Sequence, residues 1–264
     1  MSILDRIAES TRERVAAAKL TRPPEAVRRE AEALPRGSFA FAEALGRPGL
    51  SFICECKKAS PSKGLIAPEF PYLEIARDYE AAGADAVSVL TEPEWFLGSD
   101  GYLEEIALTV RIPCLRKDFT VDEYMLYEAK LLGAGAVLLI VSILSPAQLS
   151  EYLEICGELG ISALVEAHDA KEIETALEAG AEIIGVNNRN LHDFTVDTGN
   201  SARLRSLIPP GVLFVSESGI RTPEDARRAA EAGADAVLVG EALMRAQDRG
   251  AKLKELREGA VLPE

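Results

Sequence analysis

The hexapeptide Ala82-Gly83-Ala84-Asp85-Ala86-Val87 recurs unchanged as Ala232-Gly233-Ala234-Asp235-Ala236-Val237. Looser copies stand at Leu132-Gly133-Ala134-Gly135-Ala136-Val137 and Ala179-Gly180-Ala181-Glu182-Ile183-Ile184. Each copy closes an amphipathic helical stretch and opens a short apolar run. A glycine at such a joint adopts the left-handed cap conformation without a Cβ penalty. The repeating unit is therefore a helix feeding a strand, and a chain that uses the unit again and again is built from β/α modules.

Reading outward from these joints predicts eight strands: Ser51–Lys57, Ala86–Leu90, Ile112–Lys117, Ala136–Val141, Ser162–Glu166, Ile183–Asn187, Leu213–Glu217 and Ala236–Gly240. Helical patterns separate them at Tyr72–Ala82, Tyr102–Val110, Val121–Leu132, Pro146–Leu159, Ala170–Ala179, Ser201–Leu207 and Pro223–Ala232. Thr222-Pro223 and Ser145-Pro146 each put a capping hydroxyl before a proline at the first helical position. Strands alternating with helices in this number predict a closed (β/α)8 TIM barrel. A doubly wound open sheet is the competing arrangement. It usually carries a glycine-rich dinucleotide turn after its first strand, and Lys58-Ala59-Ser60-Pro61-Ser62-Lys63-Gly64 lacks that pattern. Residues 1–50 precede the first strand and read as a helical extension packed on the barrel of residues 51–264. Ile3, Leu4, Ile7, Val15 and Ala18 fall at helical spacing, Pro23-Pro24 breaks the run, and a second helix is expected over Glu25–Ala33. Ser38-Phe39-Ala40-Phe41 then leads to a turn at Gly46–Gly49.

With 47% hydrophobic and 27% charged residues the chain is neither disordered nor collagen-like. No apolar run approaches the length of a membrane span. Met1-Ser2-Ile3-Leu4-Asp5-Arg6 has no signal-peptide core, so a cytoplasmic location is expected. There are 29 basic and 43 acidic residues, a net charge of −14. Nucleic acid and anionic membrane are thereby disfavoured as partners, and an anionic ligand would need positive charge gathered in one place. Cys54, Cys56, Cys114 and Cys156 lack a zinc-ligand spacing and read as buried free thiols. With only His168 and His192 available, acid–base chemistry falls to Lys, Glu and Asp. Twenty Arg against nine Lys, with four Asn and two Gln, suit a thermophile or a GC-rich genome.

In such barrels the chemistry sits at the C-terminal ends of the strands. Here strand after strand ends in polar residues: Glu55 and Lys57, Lys117 and Asp118, Glu166, Asn187 to Arg189, and Glu217 to Gly219. Side chains alternate across a strand. If Glu55 and Lys57 face the interior, Cys54 and Cys56 face the helices. The same parity turns Lys117, Glu166 and Glu217 inward and requires Arg116 to point outward at the rim. Ion pairs plugging the barrel top would be a costly alternative explanation. Two lysines and three glutamates converging on one mouth point instead to proton transfer. Ser218-Gly219-Ile220-Arg221-Thr222 after the seventh strand and Gly240-Glu241 after the eighth are the loops that bind phosphate in this fold. Glu241 would contribute only its backbone N–H.

These residues resemble those of indole-3-glycerol phosphate synthases. The resemblance is carried by Glu55-Cys56-Lys57 through Ser60-Pro61-Ser62 to Gly64, Leu90-Thr91-Glu92 through Phe96 to Gly98-Ser99, Arg116-Lys117-Asp118-Phe119 and Leu138-Leu139-Ile140. Val165-Glu166-Ala167-His168, Gly185-Val186-Asn187-Asn188-Arg189 and Glu217-Ser218-Gly219-Ile220 complete it. It implies a ribulose-phosphate-binding barrel that closes the indole ring of 1-(2-carboxyphenylamino)-1-deoxyribulose 5-phosphate, with loss of CO₂ and water, in tryptophan biosynthesis. No metal or organic cofactor is implied. The implied catalytic set is Glu55, Lys57, Lys117, Glu166, Asn187, Glu217 and Ser218. In it Lys117 is the general acid of ring closure, Lys57 and Glu166 handle the protons of dehydration in either order, and Glu55 and Glu217 orient the lysines. The implied substrate contacts are Ser60, Phe96, Arg189, Gly219, Gly240 and Glu241. Asn187, Arg189 and Ser60 would meet the anthranilate carboxylate and the reacting oxygens, and Ser218, Gly219 and Gly240 the phosphate. Glu241 replaces a small hydroxyl residue of some relatives, and Ser142 a lysine. A phosphoribosylanthranilate isomerase would instead place a Cys/Asp or Asp/Asp pair at its strand ends. An inactive metabolite-binding barrel would be expected to lack Lys117 or Glu166.

Overall fold

The computed structural model describes residues 2–190 and 195–262. Eight parallel strands close into a barrel: β1 Ser51–Cys56, β2 Ala86–Leu90, β3 Cys114–Lys117, β4 Ala136–Ile140, β5 Ser162–Ala167, β6 Ile183–Asn187, β7 Leu213–Glu217 and β8 Ala236–Val239. Each strand pairs with its neighbours in sequence, and β8 returns to β1 with Ser51 opposite Ala236. The repeat sits where the sequence reading expects it. Gly83, Gly133, Gly180 and Gly233 all have φ between 79° and 91°, the left-handed region. The aspartate of the two identical copies has one task in both. Asp85 accepts the Phe52 N–H at 2.8 Å and Asp235 accepts the Phe214 N–H at 2.7 Å, so each tethers its joint to the start of an adjacent strand.

Strand parity sorts the side chains into two cores. Ile53, Leu115, Leu138, Leu164, Val215 and Leu238 fill the barrel interior, whereas Phe52, Cys54, Cys56, Val87, Val137 and Phe214 pack outward. The outer ring comprises α4 Tyr72–Ala81, α5 Asp100–Thr109, α6 Tyr124–Leu131, α7 Pro146–Leu159, α8 Ala170–Glu178, α9 Gly199–Leu204, α10 Pro223–Glu231 and α12 Arg249–Gly259. The short α11 Glu241–Met244 follows β8 at the mouth. Thr222 and Ser145 cap α10 and α7 through capping boxes, with Pro223 and Pro146 in the first turn. Among the described residues no helix is long and apolar enough to cross a membrane.

Three helices precede β1: α1 Ile3–Thr21, α2 Pro24–Ala33 and α3 Ala40–Leu45. The last replaces the irregular approach to a turn expected there. Phe41 and Leu45 lie four residues apart on one face of it, and both are fully buried with Ile53, Leu115 and Val215 at the barrel base. Helix α1 lies near the opposite end. Arg14 grips the buried Asp118 with two bonds of 2.8 and 2.9 Å, and Lys19 reaches Asp122 at 2.7 Å. Asp118 follows Lys117 directly, so this extension is tied to the end of β3.

Candidate active site at the barrel mouth

The strand ends and the following loops enclose one pocket. Glu55, Lys57, Ser60, Phe96, Lys117, Glu166, Asn187, Arg189, Glu217, Ser218, Gly219, Gly240 and Glu241 all line it. Every site residue named from the sequence is therefore brought to one cavity. Its floor is apolar, formed by Leu138, Ile140 and Leu238. One wall was missed by sequence reasoning: Ile3, Leu4 and Ile7 of α1. Their helical spacing is visible in the sequence, but the surface they cover is not.

Two lysine–carboxylate groups occupy the centre. Lys57 Nζ lies 2.7 Å from Glu55 Oε1. Lys117 Nζ lies 3.4 Å from Glu166 Oε2 and 3.7 Å from Glu217 Oε2. Burial alone would push the Lys117 ammonium toward neutrality, but Glu166, Glu217 and Glu55 together hold its pKa above the ordinary lysine value. The two carboxyls beside it diverge. Burial opposes ionisation of Glu166, yet Lys117, His168 and Asn187 hold it below the ordinary range. Burial pushes Glu217 up to about 8, Lys117 opposes the rise, and the charges of Glu166 and Glu55 add to it. The surroundings thus favour ionisation of Glu166 over that of Glu217. Glu55 is lowered: burial is its largest influence and opposes this, but Lys57 and Lys117 prevail. The backbone makes room for these groups. A Cβ on Gly185 would run into the Glu217 carboxyl, and one on Gly240 would sit 2.5 Å from Glu55 Oε1.

The loop after β7 has a tightly specified shape. Ser218 has φ 68° and Gly219 φ 92°. A Cβ on Gly219 would lie 2.5 Å from Thr198 Cγ2, so glycine is required there for space as well as for conformation. Asn188 holds the turn by donating to the Ser218 carbonyl at 3.0 Å and to Ser216 Oγ at 3.2 Å. The Glu241 carboxylate turns to Arg245 at 3.2 Å and Lys63 at 3.7 Å. Lys63 stands in a small antiparallel hairpin, Ala59–Ser60 with Gly64–Leu65, built from the loop after β1. Phe96 is set by Glu92, whose carboxylate accepts the N–H groups of Glu94, Trp95 and Phe96 at 2.8 to 3.0 Å. The Phe96 and Phe119 ring centroids lie 5.9 Å apart, a tilted pair on the pocket lining.

Arg116 points outward, as parity requires, but it is enclosed rather than at the rim. Only 1% of it is exposed. It donates to Asp100 at 2.7 Å, Glu128 at 2.6 Å and the Met125 carbonyl at 2.9 Å, filling the space between β3 and helices α5 and α6. The four cysteines are buried, and burial pushes the Cys114 and Cys156 thiols to about 12. His192 lies outside the described residues.

A family model described as indole-3-glycerol phosphate synthase matches residues 4–256. Relatives bearing that name include one from Ruminiclostridium cellulolyticum, 57% identical over 98% of this chain and 100% of the relative. Another, from Endomicrobium trichonymphae, is 53% identical over 97% of this chain and 100% of the relative. Among solved structures, a 3-hexulose-6-phosphate synthase superposes with a TM-score of 0.65 at 15% identity, covering 80% of this chain and 100% of that one. A thiamine phosphate pyrophosphorylase from Pyrococcus furiosus gives 0.61 at 19% identity, covering 83% of this chain and 97% of that one. At those identities the two structures speak to the fold alone.

Proposed function

The chain belongs to the indole-3-glycerol phosphate synthase family, and from that premise we propose how its barrel mouth divides the labour of the family's carboxy-lyase reaction. The carboxyphenylamino ring docks between Phe96, Phe119 and the apolar face of α1, with its carboxylate toward Arg189 and Asn187. The phosphate sits against the backbone N–H groups around Ser218, Gly219 and Gly240, where a small cradle favours tetrahedral oxyanions. In ring closure the ring carbon bearing the carboxylate bonds to the ribulose carbonyl carbon. The carbonyl oxygen takes the electron pair and a proton from Lys117. Loss of CO₂ returns the C–C electron pair to the ring and restores its aromaticity. Dehydration then removes the hydroxyl as water, with Lys57 and Glu166 supplying and accepting the protons. Glu55 keeps Lys57 in place and Glu217 keeps Lys117 in place. Nucleic acid and membrane have no part in this reading.

The observation that carries the proposal is Lys117, a largely buried ammonium 3.4 Å from Glu166 and 3.7 Å from Glu217 at the end of an inward-facing strand register. The relatives carry the synthase name and not that of the isomerase. Neither does the site lack the groups whose loss would mark an inactive barrel. The direct test is fluorescence of the indole product formed from the carboxyphenylamino substrate. The wild-type chain is expected to form it. Lys117→Met is expected to lower kcat by about 10²- to 10⁴-fold with KM little changed, the usual cost of losing a positioned acid. No product from the wild type would overturn the activity. Turnover near wild type in the variant would overturn the role of Lys117.

A further inference from the structure

We propose that His168 is a positioning residue for Glu166: an imidazolium gripped by Glu172 that fixes which carboxyl beside Lys117 is ionised. The proposal rests on the reading of Glu166 as a proton-handling group. His168 follows β5 by one residue and is held from several sides. Its ring Nδ1 lies 3.0 Å from Glu172 Oε2, and the same oxygen accepts its backbone N–H at 2.7 Å. Asp169 caps α8 by accepting the Glu172 N–H at 2.9 Å, which places that carboxylate. Asn200 donates to the His168 carbonyl at 3.2 Å. With Nδ1 committed, Nε2 has one direction left. It is buried, makes no hydrogen bond among the described residues, and lies 3.4 Å from Glu166 Oε1. The other oxygen, Glu166 Oε2, lies 3.4 Å from Lys117 Nζ. Glu166 is thus bracketed by the Lys117 ammonium and the His168 ring, one at each oxygen, whereas among the described residues Glu217 Oε1 has no hydrogen-bond partner.

The arrangement answers a need of the mouth. Glu166 and Glu217 compete for one ammonium, and both cannot ionise cheaply in a buried site. A second cation at Glu166 alone decides the competition. The charged groups facing His168 are Glu166 from its own strand, Glu172 from α8 and Glu217 from β7. Burial would make the ring neutral, but Glu166 and Glu172 outweigh it and raise His168 to about 10. Without the imidazolium the proton on Glu217 is free to move to Glu166, and the carboxylate used in dehydration is lost at neutral pH.

The test has two arms. In the first, imidazole resonances of the wild-type enzyme are followed against pH. The chain has two histidines, so His168 is assigned by loss of its signal in His168→Gln, or in the intact site by retaining it in His192→Gln. His168 is expected to remain an imidazolium beyond pH 8 and to titrate lower in Glu172→Gln and in Glu166→Gln. Titration near the ordinary 6.5, or no response to Glu166→Gln, overturns the proposal whether or not the enzyme turns over. In the second arm His168→Gln, which keeps a donor but no charge, is expected to lower kcat by about 10- to 100-fold with little change in KM. The acidic limb of its kcat–pH profile should move to higher pH, and His168→Lys should move it back. A fall in kcat with an unmoved limb would mean that His168 only supports the fold, and would also overturn the proposal. If the wild type itself makes no indole product, the family reading fails while the titration arm still reports on His168.

Discussion

At the residue scale the mouth is decided by where single protons rest. Glu217 illustrates this. Its ordinary pKa of 4.5 is raised to about 8 in the folded chain, mainly by burial. Between those values the unfolded chain has lost this proton and the folded chain still holds it. The folded state binds more protons, so the Glu217 contribution to stability falls as pH rises from 4.5 toward 8. A glutamine cannot ionise and suffers no such loss. Glu217→Gln should therefore be more thermostable relative to wild type at pH 8 than at pH 5, although it removes a group that orients Lys117. Thermal midpoints of both proteins across that range provide the measurement. A constant gap, or one that narrows with pH, would mean that Glu217 ionises like an exposed carboxylate. Such protonation is not legible in sequence. Parity alone turns Glu55, Lys117, Glu166 and Glu217 inward, but the divergence of Glu166 and Glu217 depends on distances across the barrel. His168 was nearer to legible, because His168 and Glu172 stand four apart across a strand-to-helix joint.

At the element scale the eight strands and most of the ring helices were legible because each rests on a local signal: a period of two, a glycine joint, or a hydroxyl before proline. The exceptions are elements whose conformation comes from what they touch. Helix α3 has six residues and no side-chain cap. It forms where Phe41 and Leu45 find the open base of the barrel. Helix α1 is recognisable, yet its role as a pocket wall depends on Arg14 meeting Asp118 more than a hundred residues away. The loop Lys58–Gly64 lacks a regular pattern but carries a hairpin, with Lys63 reaching across to Glu241 on the phosphate side of the mouth. That bridge is long and partly exposed, so it contributes little by itself. Its Ser60, Pro61, Ser62 and Lys63 line the pocket, the position from which a lid would exclude water. Hydrogen exchange should show the backbone amides of this segment more protected when the indole product or a substrate analogue is bound. Equal protection with and without ligand would mean that the hairpin is a fixed rim.

At the scale of the whole molecule the charge distribution runs against the substrate. The chain carries −14, yet a family substrate bears a phosphate and a carboxylate. Lys57, Lys63, Lys117, Arg189 and Arg221 all line the one pocket. Of its central carboxyls, Glu217 is pushed toward the acid form by burial, and Glu55 and Glu166 are already paired with lysines. The exterior repels an anion at long range while the cleft attracts it at short range, where solvent screening is weaker. Sodium chloride therefore has two opposing effects. It relieves the repulsion of the acidic surface, and it weakens the attraction within the cleft. At the proposed phosphate site sulfate would add a third, because a tetrahedral oxyanion would compete for the N–H groups around Ser218, Gly219 and Gly240. The expected result is that sodium sulfate raises KM more than sodium chloride at matched ionic strength, with kcat unaffected by either to the extent that the salts act only on binding. The increase should follow competitive kinetics and should be shared by inorganic phosphate. Identical effects of chloride and sulfate would mean that general screening governs binding, and that the loops after β7 and β8 provide no dedicated phosphate cradle.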